Sequence, residues 1–354
     1  MRKITIFLFC VSASFLVKAQ DFGQILAASL PDANKYATEY MRPFAEAQIY
    51  NQSRGWFNTA KVHKRFGFDI SISGQFAIIP SGKENFIFRN SDYSTLKLSG
   101  TLATSATLPT FMGGTTSQEL EVNTTANGQN VKAKFTAISG IGDDLKQNIS
   151  FLPLAAPLPV VQVGVGVFKN TDIKVRYFPK TNFSNVEIGV MGVAVQHEFS
   201  SYLPFIKKVP FLHLSALAGY TSTVASYKPE FGTGSPVQNP KKNAVAEYEI
   251  SAFTVQAIAS VKLAFLEVYT SVGYMNGTST LAFKGDYTTT YQNQPPATGS
   301  QTTTVTDPIA LTYKASGISN TWGARLNIFF LKIFADYTFA EYKGASAGIA
   351  FSFR

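Results

Sequence analysis

Residues 344–354 read Gly-Ala-Ser-Ala-Gly-Ile-Ala-Phe-Ser-Phe-Arg. In an extended chain, successive side chains point to opposite sides. Ala345, Ala347, Ile349, Phe351 and Phe353 therefore share one face, and Ser346, Gly348, Ala350, Ser352 and Arg354 share the other. One face is apolar and the other small and polar. A strand of a soluble sandwich alternates in the same way with its apolar side toward a core. In a closed membrane wall the apolar side meets lipid and the polar side an interior.

The amino terminus separates these alternatives. Met1-Arg2-Lys3 is cationic, Ile4 to Val17 is apolar apart from Ser12 and Ser14, and Lys18-Ala19-Gln20 offers a small-residue cleavage zone before Asp21. This pattern predicts a secretory signal peptide over residues 1–20. The apolar run, about 14 residues, is short of the roughly 20 that a spanning helix needs. Cys10 lies inside that run behind bulky Phe9, so lipidation is not expected, and it is the chain's single cysteine. The mature chain is then expected to form no disulfide and no thiolate metal site. No later stretch approaches 18 consecutive apolar residues. A bilayer admits only helices or closed barrels, because backbone polar groups must be satisfied internally. An exported chain of this kind that is integral to a membrane is a barrel, which places it in the bacterial outer membrane. Composition agrees: 45% of residues are hydrophobic and only 15% charged, and 30 Phe with 16 Tyr can supply aromatic girdles.

Residues 21–64 do not alternate. Ala33 to Met41 reads as a short helix with Asp32 at its start and Pro43 as its stop. Gly55 to Ala60 reads as an aromatic-bearing turn. This segment either plugs the lumen or lies in the periplasm as a tether. Tyr36, Tyr40, Met41, Phe44, Trp56 and Phe57 need burial and favour the plug.

Residues 65–354 read as the barrel, an all-β, transmembrane, antiparallel structure of about twelve strands. Phe66, Phe68, Ile70, Ile72, Phe76 and Ile78 face outward in the first, with Asp69, Ser71, Ser73 and Gln75 inward. Runs around Leu96–Leu102 and Val131–Thr136 are the weakest strands. Glu119 to Val122 reads as a further short strand. From Val161 onward the pattern is stronger, through Ile173–Tyr177, Val186–His197, Leu212–Ala225, Phe253–Leu263, Leu266–Tyr274, Trp322–Ile328 and Leu331–Phe339. Short turns at Lys169-Asn170, Ala264-Phe265 and Phe329-Phe330 fall on one side with Ser200–Pro210. Longer connections at Pro229–Ala244 and Gly285–Ala310 fall on the other, the latter reading as a solvated loop. This arrangement requires an even strand count, so ten and fourteen are the alternatives to twelve.

The expected lumen lining is Asp69, Asp172, Lys174, Arg176, Glu187, Lys262, Glu267, Arg325, Lys332 and Asp336, with Arg325 and Lys332 near enough to Asp336 to pair. His213 and Ser215 share a lumen-facing side, and His197-Glu198 lies near Ser200 and Ser201, but no spacing enforces a nucleophile, base and orienter. No catalytic residue, cofactor or metal site is assigned, and no enzyme activity is expected. Removing Arg2, Lys3 and Lys18 with the leader lowers the formal charge from +9 to +6. That surplus suits lipopolysaccharide phosphates or an anionic solute as much as solvated turns, and nucleic acid is not an expected partner.

The closing Phe351-Ser352-Phe353-Arg354 resembles the final strand of bacterial outer-membrane barrels. This resemblance implies that Phe351 and Phe353 act as an assembly signal for the barrel-assembly machinery. With Ala19-Gln20 and Gly55-Trp56-Phe57-Asn58-Thr59-Ala60-Lys61, the chain resembles an uncharacterised family of outer-membrane barrels from Bacteroidota. It is more distantly similar to FadL-like transporters of hydrophobic compounds, although it lacks their Asn-Pro-Ala hatch start and has fewer expected strands. The resemblance implies a channel or transporter for passive uptake of small hydrophobic or anionic solutes. The alternative is a non-conducting scaffold, or an assembly or secretion partner, that binds proteins through its loops or N-terminal segment.

Overall fold

The structure is a computed structural model that describes residue 26 and residues 29–126, 128–148, 153–183, 186–229, 237–239, 241–293, 295 and 298–353. The expected signal peptide lies outside the described residues.

Ten antiparallel strands close a barrel: β1 (Phe68–Ile78), β2 (Ala155–Phe168), β3 (Thr171–Phe183), β4 (Val186–Glu198), β5 (Leu212–Tyr227), β6 (Val245–Leu263), β7 (Leu266–Lys284), β8 (Ile309–Ile328), β9 (Leu331–Phe339) and β10 (Gly344–Phe353). Phe68 lies opposite Phe353 on one side and Val165 on the other, so the first strand closes the ring against the last. The expected alternation holds along β1, with Asp69, Ser71, Ser73 and Gln75 buried and Phe68, Ile70 and Ile72 exposed. Phe66 does not belong to this strand; it occupies a turn with φ +65°.

The count of twelve is corrected to ten. Leu96–Leu98 and Gln129–Thr136 each pair with Glu119–Ala126 in a separate sheet over one end of the barrel, extended by Asp286–Asn293, Ser300–Thr306 and Val237–Gln238. Alternation gives a strand two faces without saying which covers a core. Here Leu96, Leu98, Val131 and Phe135 turn inward onto the core instead of facing lipid. Asn85–Arg89 and Ser105–Pro109 form a second small sheet. The expected solvated loop at Gly285–Ala310 is largely a hairpin of Asp286–Asn293 and Ser300–Thr306.

The tight turns at 169–170, 264–265 and 329–330 and the connection 199–211 lie at one end, here the turn end. The two small sheets crown the other, the loop end. Strands β6, β7 and β8 run 19, 19 and 20 residues. At about 3.3 Å per residue they reach about 60 Å, twice the roughly 30 Å of a hydrocarbon core. Their loop-end halves enclose a helix, α1 (Leu30–Ser53).

Helix α1 is 24 residues long and passes through Pro43, which was expected to stop it. Proline removes an N–H donor and crowds the preceding turn. Around it, Tyr313 Oη donates to the Ala37 and Thr38 carbonyls and Phe111 N donates to Tyr40 O. Pro43 takes the helical donor from Glu39 O, four residues back; the wall and the loop-end layer bond the carbonyls on either side of it, and burial of most of its surface holds the helix together.

One seam in the wall is open. Pairing of β2 with β3 runs only from Gln162↔Arg176 to Phe168↔Thr171, leaving residues 155–161 without a β3 partner. Pro157, Pro159 and Pro179 lie along it, and proline donates nothing to a ladder. Asn51 and Gln48 of α1 donate their side-chain amides to Ala156 O (2.8 Å) and Pro157 O (3.2 Å). The helix therefore covers the edge from within.

Candidate functional site

Residues 30–63 lie inside the ring, and the two halves of this insert are held by different forces. In the loop-end half, Tyr36, Tyr40, Met41 and Phe44 of α1 are buried in a continuous apolar cluster with Ile250, Met275, Leu281, Leu311 and Tyr313 of the wall and Phe88, Leu96 and Phe111 of the crown. Inward-facing Gly277 and Gly317 leave room for Ile49 and Tyr50; a Cβ at Gly277 would stand 2.4 Å from Ile49. The helix start is pinned by Asp32, whose carboxylate accepts from Ser94 N (3.0 Å), Thr95 N (2.6 Å) and Leu96 N (3.1 Å).

At the helix end Arg176 is fully buried. Its Nη1 donates to Gln52 O (3.0 Å), its Nη2 to Arg54 O (2.5 Å) and its Nε to Gln162 Oε1 (3.1 Å). The last carbonyls of a helix carry partial negative charge, which supplies this guanidinium with a counter-field. The Arg176 guanidinium also lies 3.7 Å from the Trp56 ring centroid. Between Tyr50, Arg54, Gln256 and Asp336 is a polar cavity with room for about one water.

Beyond Gly55, whose φ of +68° suits glycine, the chain is extended and runs down the lumen. Lys174 Nζ donates to Trp56 O (2.9 Å) and Arg325 Nη1 to Asn58 Oδ1 (2.6 Å). Thr59 donates its hydroxyl to Glu267, while Gln196 Nε2 donates to Thr59 O (2.9 Å). Val62 N donates to Glu198 Oε2 (3.1 Å). A small apolar cluster of Trp56, Phe57, Ala60, Ala194, Leu217, Ile258 and Tyr269 is the exception in an otherwise polar half.

The segment ends at His63. Its backbone N–H donates to Asp172 Oδ1 (2.9 Å) and its Nδ1 stands 2.9 Å from Asp172 Oδ2, so Nδ1 carries the proton in the arrangement that satisfies both groups. Nε2 then accepts from Ser352 Oγ (3.3 Å), with Asp69 Oδ2 at 4.0 Å. The order Ser352–His63–Asp172 is that of a hydrolase relay. The surrounding N–H groups of Gly67, Gly166 and Ser352 already donate to backbone carbonyls (2.8, 2.9 and 2.8 Å), leaving none of the three to bind an oxyanion. What the geometry provides is a latch joining the insert to β1, β3 and β10.

Nine of the ten expected lining residues have the inward parity. Asp69, Asp172, Lys174, Arg176, Glu267, Arg325 and Asp336 are buried. Lys262 and Lys332 are half-buried near the turn end, and Lys332 Nζ donates to Phe329 O (2.5 Å). Glu187 is the correction. It has the parity of Met191, Val193 and Val195, which are exposed on the outside, and lies 4.0 Å from Lys180. Asp336 accepts from Tyr269 Oη (2.9 Å), whereas Arg325 is engaged with Asn58, Asn327 and, at 3.9 Å, Glu267. His213 meets Glu198 at 2.7 Å, Ser215 accepts from Gln196 (2.9 Å), and His197 faces Thr171 at 2.9 Å. No relay joins His213 to Ser215. Phe351 and Phe353 are exposed on the outer face of β10. Sequence reasoning missed His63, Asn58, Thr59, Gln196 and Tyr269. Among the described residues no cluster of metal-ligating side chains occurs, and no helix is long and apolar enough to cross a membrane.

Residues 1–353 match the family described as a family of unknown function, DUF6588, and the chain belongs to that family. No curated protein matches it. Among solved structures it is similar to Ail, the attachment invasion locus protein of Yersinia pestis (7% identity, TM-score 0.24, covering 82% of this chain and 100% of Ail). It is also similar to the translocator domain of the autotransporter NalP from Neisseria meningitidis (9%, 0.29, 82% and 90%) and to the TodX monoaromatic hydrocarbon channel (7%, 0.24, 81% and 66%). At these scores none of them fixes a role for this chain.

Proposed function

We propose that this member of DUF6588 is a bacterial outer-membrane barrel, its turn end toward the periplasm, whose lumen is plugged by residues 30–63 and passes a small solute passively when the lower part of that plug withdraws. The membrane reading is supported by an apolar outer surface that all ten strands supply, through Ile72, Val163, Val175, Val193, Tyr220, Val255, Val272, Ile318, Ile333 and Phe351. Continuous exposed apolar area on this scale is foreign to a water-soluble monomer.

The observation that carries the gating reading is the contrast within the lumen. Helix α1 is fixed by apolar packing to wall and crown, while residues 56–63 are extended and held mainly by hydrogen bonds to inward side chains. Each such bond exchanges for one to water at a net of about 1 kcal/mol. The wall they touch carries Lys174, Arg176 and Arg325 together with Asp69, Asp172, Glu267 and Asp336. Neither sign dominates, so size sets passage more than charge does.

Thr59 Oγ1 and Ser260 Oγ lie 3.4 Å apart, and the one cysteine of the chain is Cys10. A Thr59→Cys, Ser260→Cys variant of the mature chain can therefore be locked and unlocked by redox state. In planar bilayers the reduced form is expected to conduct and the oxidised form not to. Absence of current in both states would sink the channel and leave the second reading, a non-conducting scaffold. That reading is favoured by the two sheets built over the loop end.

A further inference from the structure

The turn end carries two features that the plug and wall do not use. The first is a crown of phenylalanines: Phe66, Phe168, Phe205, Phe265, Phe329 and Phe330 are all exposed, Phe66 by 75% and Phe329 by 92%. Phe66 and Phe329 hold φ of +65° and +48°, where glycine would sit without penalty and a bulky side chain is an outlier. So little of either ring is covered by the protein that packing within the fold does not account for aromatics at these positions.

The second is segregation of charge. Lys64, Arg65, Lys169, Lys207 and Lys208 are exposed at this end and enter no ion pair among the described residues. The nearby carboxylates are turned inward: Asp172 is engaged with His63, Glu198 with His213 and Glu267 with Thr59, and Asp69 is buried beside His63. The described face of the turn end is thus aromatic and purely cationic. The loop end instead exposes Asp92, Asp144, Glu249, Asp307 and Glu341 among its lysines.

We infer that the turn-end rim is a binding surface for anionic phospholipid. The Phe crown sits at the boundary of the acyl chains, and the connection between β4 and β5, with its 3-10 turns at Ser200–Tyr202 and Ile206–Lys208, presents Lys207 and Lys208 to lipid phosphates. Aromatic rings favour the membrane interface, and each lysine near an anionic leaflet adds a Coulombic attraction that decays within a Debye length. An acidic protein would meet the same charges but would give the exposed rings no hydrocarbon to enter. The inference rests on the membrane reading above and deepens it by assigning a lipid class to one leaflet.

The test places the mature chain in nanodiscs of phosphatidylcholine with one-fifth phosphatidylglycerol and measures, by mass spectrometry, the lipids retained on brief transfer to detergent. The ratio of phosphatidylglycerol to phosphatidylcholine among the retained lipids is expected to exceed its bulk value about fivefold, the effect of a single lysine close to an anionic surface. The enrichment should fall toward parity in Lys169→Gln, Lys207→Gln, Lys208→Gln and in high salt, and persist in the loop-end control Lys228→Gln, Lys242→Gln, Lys314→Gln. Parity in the unmodified chain, or equal loss in both triple variants, would overturn the inference while leaving the membrane reading intact. A chain that enters neither these discs nor pure phosphatidylcholine would overturn both.

Discussion

Asp32 joins helix to crown through hydrogen bonds accepted from Ser94, Thr95 and Leu96. Burial pushes its carboxyl upward, but these donors outweigh burial and hold it below its ordinary value. A carboxyl lowered on folding contributes stability that is present above its unfolded value of about 3.9 and is lost as pH falls through the lower folded value. Hydrogen-exchange protection of residues 30–40 and 94–98, corrected for intrinsic rates, is therefore expected to be level from pH 7 to 5 and to decline only below about 4. Asp32→Asn should remove about 2 kcal/mol and flatten that profile; an unchanged profile would count against the pinning. At Trp56, the glycines do the fitting: a Cβ at Gly219 would stand 3.0 Å from the Ala194 side chain and 3.1 Å from the indole. With Trp322→Phe leaving one reporter of the two tryptophans, Gly219→Leu should red-shift Trp56 emission by expelling it, and an unshifted spectrum would show that the ring has another seat. Trp56 was legible as a residue needing burial. Its glycine partners were not, since a non-alternating segment gives no register and its contacts lie more than a hundred residues away.

Helix α1 shows where element-level reading stops short. Pro43 is a helix breaker in isolation, and nothing local announces that Tyr313 and Phe111 will serve the carbonyls beside it. Tyr313→Phe is expected to lower stability by about 1 kcal/mol, and by the same amount after Pro43→Ala, whose restored N–H reaches Glu39 O and not the Ala37 and Thr38 carbonyls that Tyr313 serves. A smaller loss in the Pro43→Ala background, from denaturant unfolding of a two-by-two set, would contradict that independence. The wall strands after Val161 were legible because β-branched and aromatic residues alternate with small polar ones over spans long enough to fix parity. Glu187 was misassigned because its charge suggested an inward position, whereas β4 keeps unbroken register with β5 from Val186 to Glu198 and gives Glu187 the outward parity of Met191 and Val193. The crown strands were misassigned for another reason: Leu96–Leu98 and Gln129–Thr136 alternate, if more weakly than the strands after Val161, and alternation does not say that the face they bury covers a core and not lipid.

At the scale of the molecule, chain topology did what periodicity could not. Turn lengths sorted the connections onto two ends, and that sorting holds with ten strands as it would have with twelve, because removing a pair keeps the count even. A helix covering the β2–β3 seam also makes the insert part of the wall, so deleting residues 21–53 should cost the barrel its fold, read as loss of heat-modifiable migration on gels, whereas loosening residues 56–63 alone should not. The most direct measurement uses single cysteines at 71, 72, 271 and 272, each carrying bimane, in vesicles containing brominated lipid. Ile72 and Val272 are exposed on the outer face, while Ser71 and Ser271 point into the filled lumen. Strong quenching at 72 and 272 with little at 71 and 271 is the expected result; quenching that is equal at all four sites, or absent from all, would contradict a barrel that wears its apolar side toward lipid.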